Sequence, residues 1–394
     1  MKILVLAWEF PPRIIGGIAR HVAELYPEIV NLGHSVHLLT PETEGAPGYE
    51  QVEGIYIYRV PVEPATDFLH WVSNLNVSLG RMGGKLLQEL SFDLIHAHDW
   101  LVGDAAIALK HHFKVPLIAT IHATEYGRNN GLHSPTQHFI HGREKNLVYE
   151  AWRVIVCTQY MRQEAERALH VPWNKIEVIY NGIRPGKKVP LPSLEKPIFR
   201  RQFARDEEKI VYYVGRIAHQ KGVFVLLNAA PRVLHQMGEQ VQFVIIGGGS
   251  TDHLQTQAWN LGISHQCTFT GFMSEPDLDK FQTVADCAVF PSLYEPFGIV
   301  ALESFAAQVP VVVSDTCGLP EVVRHGQTGI TTYTNNPESL AWGITTILQN
   351  PNYAQTLVRN AYLDLQTRFR WSDLAQQTTS VYTRVTQERS QVHW

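Results

Sequence analysis

The strongest constraint on the fold is a pattern that runs through the chain twice. An apolar strand meets a glycine turn, a helix follows, and another apolar strand comes next; after a proline-rich stretch the same order starts again. Lys2 to Trp8 is apolar at nearly every position, as a parallel strand covered on both faces requires. Pro11-Pro12 stops it, Gly16-Gly17 opens a helix through His21, Leu25 and Ile29, Gly33 ends that helix, and Val36 to Leu39 is the next strand. This is one βαβ unit. Pro27 breaks the helical rule and predicts a kink. Further strands are predicted at 55–60, 93–100 (running into a polar end), 117–121, 154–157 and 175–179, with a helical stretch over 64–90. Between Pro185 and Pro197 four prolines interrupt all periodicity, which marks a linker. Strands resume at 210–214, 241–246, 267–270, 287–291 and 311–314.

A chain of 394 residues is too long for one core. The pattern therefore predicts an α/β protein of two parallel-sheet domains built from βαβ units, over 1–185 and 186–371. A helix over 372–394, entered through Phe369-Arg370-Trp371 and capped by Ser372 or Asp373, returns to the first domain. At 45% hydrophobic and 18% charged the composition is that of a globular protein. A net charge of −4 without a basic run argues against nucleic acid as partner. The four cysteines, Cys157, Cys267, Cys287 and Cys317, are far apart and sit in or beside apolar runs. They read as free thiols of a reducing compartment. The apolar start, Ile3 to Ala7, is too short for a signal peptide or a membrane span. A cytoplasmic protein without membrane association is the expectation, and the oligomeric state is left open.

The chemistry concentrates in Glu295-Pro296-Phe297-Gly298-Ile299-Val300-Ala301-Leu302-Glu303. A strand precedes this segment and helical spacing follows it. Glu295 falls in the loop, and Glu303 falls about two turns into the helix. Amides near Gly298, Ile299 and Val300 suit an anion. Loop carboxylate, bare amides and helix carboxylate together suit a sugar joined to a nucleotide. Arg216 and Lys221 flank a loop at the end of the first strand of the second domain, where two cations suit a diphosphate. Gly16-Gly17 lets the backbone approach a ligand. In open α/β sheets ligands bind beyond the carboxyl ends of strands. Asp99 and His122 lie at such ends, with Glu125 and Tyr126 just after. Asp99 can equally cap a helix, and His122 can equally be a buried histidine bonded to a carbonyl. His138 and His141 at i,i+3 lack companion ligands, so no metal site is assigned. Gly247-Gly248-Gly249 departs from GxGxxG and no acidic residue follows at the required distance, which excludes a dinucleotide site.

Taken together, several stretches resemble the family-4 glycosyltransferases and their relatives the bacterial and archaeal glycogen synthases. These are Gly16-Gly17, His96-Ala97-His98-Asp99-Trp100, Thr120-Ile121-His122, Asn181-Gly182-Ile183, Gly215-Arg216 with Lys221-Gly222, and Glu295 to Glu303. The resemblance covers essentially the whole chain. It implies the GT-B fold, two Rossmann-like domains facing across a cleft. It also implies retaining transfer of glucose from UDP- or ADP-glucose to a carbohydrate or α-glucan hydroxyl. On this basis His122, Arg216, Lys221 and Glu295 act in catalysis. Gly16, Gly17, Phe297, Gly298, Ile299, Val300 and Glu303 bind the donor, and Asp99, Glu125 and Tyr126 face the acceptor. The co-substrate is a nucleoside-diphosphate sugar, with no other cofactor. The chain departs from the bacterial glycogen synthases in its first loop: their Lys-x-Gly-Gly is replaced by Arg13-Ile14-Ile15-Gly16-Gly17. Mannosyl- and N-acetylhexosaminyl-transferases, and an epimerase of UDP-N-acetylhexosamine, share this architecture and are the alternatives.

Overall fold

The computed structural model describes residues 1–184, 192 and 194–392. Most of the proline-rich stretch lies outside the described residues. The chain divides into two compact units, Met1–Gly182 with Trp371–Trp394, and Ile183–Arg370.

The first unit holds eight strands: β1 Lys2–Leu6, β2 Ser35–Pro41, β3 Tyr49–Val52, β4 Ile55–Val60, β5 Leu94–His98, β6 Leu117–Ile121, β7 Arg153–Val156 and β8 Ile176–Val178. Their order across the sheet is β3-β4-β2-β1-β5-β6-β7-β8. All pairs are parallel except the β3–β4 hairpin. β1, β5 and β6 are almost wholly buried, as the continuous apolar runs require. The helix Gly17–Asn31 continues past Pro27. The final helix, Trp371–Ser390, closes this unit's core: Trp371, Leu374, Tyr382 and Val385 join Ile3, Val22, Tyr26 and Ile29 in one cluster. The Trp371 indole donates to Glu24 at 2.6 Å, and Trp152 donates to Glu388 at 2.6 Å.

The second unit holds β9 Lys209–Val214, β10 Val241–Ile246, β11 Cys267–Gly271, β12 Cys287–Phe290, β13 Val311–Ser314 and β14 Ile330–Thr332. The order is β11-β10-β9-β12-β13-β14, all parallel. Numbered within the unit this is 3-2-1-4-5-6, the doubly wound order. Such a sheet has one point where the strand order reverses, and a crevice opens there beyond the carboxyl ends. In the second unit that point lies between β9 and β12, and in the first between β1 and β5. The four cysteines are free, and among the described residues no helix is long and apolar enough to cross a membrane.

Candidate active site

The switch point of the second unit is bounded by the loop after β9 and the loop after β12, and the two are stitched together. Leu293 and Tyr294 donate their N–H groups to the Gln220 carbonyl at 2.8 and 3.2 Å. Gly222 sits at φ +67, where a Cβ would lie 2.0 Å from the Pro291 carbonyl oxygen, so only glycine permits this approach. That contact brings Lys221 to Glu295: Nζ donates to Oε2 at 2.7 Å, with both side chains largely buried. Ser292 Oγ stands 3.4 Å from the same oxygen. Arg216, at the start of the β9 loop, is exposed. Its carbonyl takes the Tyr213 hydroxyl at 2.9 Å, which fixes the backbone beneath the guanidinium.

Gly298, at φ +101, starts the helix Ile299–Ala306. A Cβ there would meet Leu319 at 2.6 Å. The first-turn amides of Ile299 and Val300 have no acceptor within the helix. Glu303 is 6% exposed on that helix. Phe297 turns its ring into the interior, edge-on to Phe369 at 6.1 Å. Its side chain is thus part of the core, and only its backbone remains for contact with a ligand. Gly247 has a structural use that its motif mismatch concealed. It sits at φ +147, and a Cβ would lie 1.8 Å from the Gly215 carbonyl oxygen. It thus lets the β10 loop press against the residue that precedes Arg216.

At the first unit's switch point the groups are buried side chains. Glu9, 1% exposed, accepts the N–H groups of Ile15 at 2.6 Å and Gly16 at 2.8 Å. Sequence reading missed this residue. The Gly16 amide faces the chain's own carboxylate, while Gly16 and Gly17 are themselves exposed. Burial raises the Glu9 pKa despite the bonds from Ile15, Gly16 and Ala19.

Asp99 stands at the N-cap position of the short helix Trp100–Val102, but its side chain forms no cap bond. Its backbone sits at φ 61, ψ 171, a region that is nearly glycine-only and costs roughly 1–3 kcal/mol. The reward is geometric. Asp99 Oδ1 accepts the His122 N–H at 2.8 Å, while the buried Oδ2 lacks a hydrogen-bond partner and has Arg128 at 3.9 Å. Burial lifts the Asp99 pKa to about 6, with Arg128 and the His122 N–H opposing. Glu125 and Tyr126 follow on the short helix Glu125–Arg128, capped by Thr124. The Glu125 N–H goes to Glu144 Oε1 at 2.8 Å, and Tyr126 is 38% exposed. His138 bonds the Ser134 carbonyl and His133 the Asn129 carbonyl, so these histidines serve local turns.

His122 is half-buried on the edge after β6. Its pKa falls to about 3, first through desolvation and then through Arg128. His21, from the helix Gly17–Asn31, meets the His122 ring edge-on at 4.8 Å and bonds Asn181 Oδ1 at 2.7 Å. Its pKa also falls to about 3 through burial. Among the described residues, His21, His98 and His122 are a group whose ligand atoms all lie within 4.8 Å of one another.

Comparison with known proteins fits these two edges. The "Glycosyltransferase Family 4" model matches residues 15–187, and the "Glycosyl transferases group 1" model matches residues 195–364. An uncharacterized glycosyltransferase of Methanocaldococcus jannaschii is 38% identical over 97% of this chain and 98% of its own. A glycogen synthase of Mycobacterium tuberculosis is 34% identical over 97% of this chain and 94% of its own. A solved sucrose-phosphate synthase from Thermosynechococcus elongatus superposes with a TM-score of 0.83 at 24% identity, covering 98% of each chain. With its two doubly wound units and the matches running nearly end to end, the chain belongs to the family-4, group-1 glycosyltransferases and is an enzyme of GT-B type.

Proposed function

We propose that the enzyme transfers glucose from UDP- or ADP-glucose to a hydroxyl of a carbohydrate, an α-glucan in particular, with retention at the anomeric carbon. The observation that carries this reading is the edge between β9 and β12. There Lys221 is paired with Glu295 beside a glycine-started helix that carries a buried carboxylate, Glu303. Breaking a glycosyl–phosphate bond leaves positive charge on the sugar and negative charge on the diphosphate. Lys221, Arg216 and the amides of Ile299 and Val300 meet the leaving charge. Groups fixed before the reaction act most on charge that develops in the transition state, at about 3–4 kcal/mol for one donor. Glu303 takes ribose hydroxyls and Glu295 takes hydroxyls of the transferred sugar. The pair with Lys221 keeps the Glu295 carboxylate oriented before substrate arrives.

In the first unit His122 donates to a sugar hydroxyl, and the unpartnered Asp99 Oδ2 holds the acceptor, with Glu125 and Tyr126 beside it. If the acceptor approaches on the leaving-group side, the departing phosphate can take its proton, and retention follows. The glycogen synthase relative supports glucose and a glucan acceptor. The nucleotide sugar is the only co-substrate in this reading. A screen of UDP-, ADP- and GDP-sugars against glucose, maltose and longer glucans, read by nucleotide release and proton NMR of the first product, tests it. An α linkage from a glucose donor is the expected result. A β linkage overturns retention, and turnover of GDP-mannose with neither glucose donor overturns glucose. Product formed without any acceptor turns the assignment to an epimerase.

A further inference from the structure

Behind His122 runs a buried chain of side chains that the reaction scheme does not use. His122 Nε2 lies 3.1 Å from His98 Nδ1. His98 Nε2 lies 2.7 Å from the Tyr26 hydroxyl. The Tyr26 hydroxyl is 2.9 Å from His96 Nδ1, which is also 2.6 Å from the Tyr382 hydroxyl on the final helix. His96 Nε2 ends the chain on Thr120 Oγ1 at 2.7 Å. His96, His98, Tyr26 and Tyr382 are fully buried. His96 and His98 are two apart on β5, so the strand's period of two places both rings on one face.

The proton positions in this chain can be worked out. Burial keeps both tyrosines protonated and the histidines neutral. A neutral imidazole donates at one nitrogen and accepts at the other. Each tyrosine has one proton to give. His96 Nδ1 can take a proton from only one of the two tyrosines, and the Tyr382 hydroxyl is nearer, at 2.6 Å against 2.9 Å for Tyr26, so Tyr382 gives the proton and His96 donates through Nε2 to Thr120. Tyr26 then gives its proton to His98 Nε2, and His98 must carry hydrogen on Nδ1. That hydrogen points at His122 Nε2, which must accept. The remaining proton of His122 sits on Nδ1.

We infer that the His98–Tyr26–His96–Tyr382 chain fixes His122 as the Nδ1–H tautomer, so that His122 meets its ligand as a hydrogen-bond donor and never as a general base. Tyr26 and His98 are then positioning residues. The inference rests on the assignment of His122 to sugar binding, but the tautomer itself can be read without any turnover.

The test is long-range proton–nitrogen NMR of the full chain labelled with 15N-histidine, with His122 assigned through His122→Asn. Wild type is expected to show His122 protonated at Nδ1 and bare at Nε2. Tyr26→Phe removes the donor to His98 Nε2, so His122 is expected to populate the Nε2–H form. Turnover is expected to fall about ten-fold, with KM for the donor changed less than two-fold and melting unchanged. Tyr382→Phe leaves His96 Nδ1 to compete for the Tyr26 proton, so His122 is expected to shift part of the way to the Nε2–H form, with a smaller loss of turnover than in Tyr26→Phe. A wild-type His122 protonated at Nε2 overturns the inference, as does an unchanged tautomer in Tyr26→Phe. Stoichiometric zinc bound on His21, His98 and His122, detected by elemental analysis of the purified protein, overturns it too, because the metal would take the nitrogens this chain joins. If no sugar is transferred under any condition but the Nδ1–H signal is present and shifts in Tyr26→Phe, the tautomer assignment stands and the proposed function fails.

Discussion

At the carboxyl edge of the first sheet, Glu9, Asp99, Glu144 and the histidines 21, 96 and 98 are buried; the carboxylates accept backbone N–H groups and the histidines bond the side chains of Asn181 and Tyr26. At the same edge of the second sheet, a largely buried lysine reaches a carboxylate, an exposed arginine stands alongside, and glycines bring bare backbone close. Both edges occupy the switch point of the same strand order. The difference shows how one fold serves two chemistries. Burial drives the first edge towards neutrality, raising its carboxylic acids and depressing its histidines. Neutral donors and acceptors suit hydroxyl groups. The second edge presents a lysine, an arginine and bare amides, a set that suits a diphosphate.

The largest effects should come from the charged edge. Lys221→Ala and Arg216→Ala are each expected to lower turnover at least about a hundred-fold, roughly 3 kcal/mol of transition-state stabilisation, with melting unchanged. Near-normal steady-state rates in both would place the leaving group elsewhere and erase the contrast between the edges. Gly222→Ala tests the stitching of the two loops. A methyl group 2.0 Å from a carbonyl oxygen is expected to cost about 2–3 kcal/mol in denaturant unfolding. A cost under about 0.5 kcal/mol would show that the loops part easily. Glu303→Ala is expected to weaken calorimetric binding of the free nucleoside diphosphate by about 2 kcal/mol. Unchanged affinity would remove the ribose assignment.

The neutral edge should show itself through pH. The folded pKa of Asp99 is about 6, above its usual 3.8. Below pH 4 both folded and unfolded chains hold this proton. Between about pH 4 and 6 the unfolded chain loses it first, so stability falls as pH rises, then levels off. Glu9 and Glu144 are shifted the same way. Asp99→Asn keeps an oxygen for the His122 N–H and removes the titration. The stability difference between variant and wild type should therefore grow in the variant's favour from pH 4 to 6, by about 1–2 kcal/mol. A difference that does not change with pH would mean that Asp99 ionises as freely folded as unfolded.

Much of this was legible in the residues. Continuous apolar runs between glycine turns require parallel strands, and the Glu295 to Glu303 spacing placed a loop, a helix start and a second carboxylate. The rest depends on contacts that local pattern cannot carry. Glu9 reads as the polar end of a strand until the chain doubles back and offers it the amides of Ile15 and Gly16. Gly247 fails a phosphate-binding motif, yet it is required by its neighbour Gly215, 32 positions earlier. Tyr382 meets His96 across 286 positions of sequence. The alternation of His96 and His98 was the one available signal that both rings share a face.

The closing helix has a consequence for how the protein comes into being. Residues 183–370 form a unit inserted between two pieces of another. The inserted unit is complete as soon as its last strand and helices leave the ribosome. The first unit, although begun earlier, lacks Trp371, Leu374, Tyr382 and Val385 in its core until the whole second unit has been made. Synthesis from the N-terminus ordinarily lets the leading domain fold first. Here the leading domain must wait for a helix made after the whole second unit, and an enzyme cut short before Trp371 would carry an intact second unit on an unfinished first one.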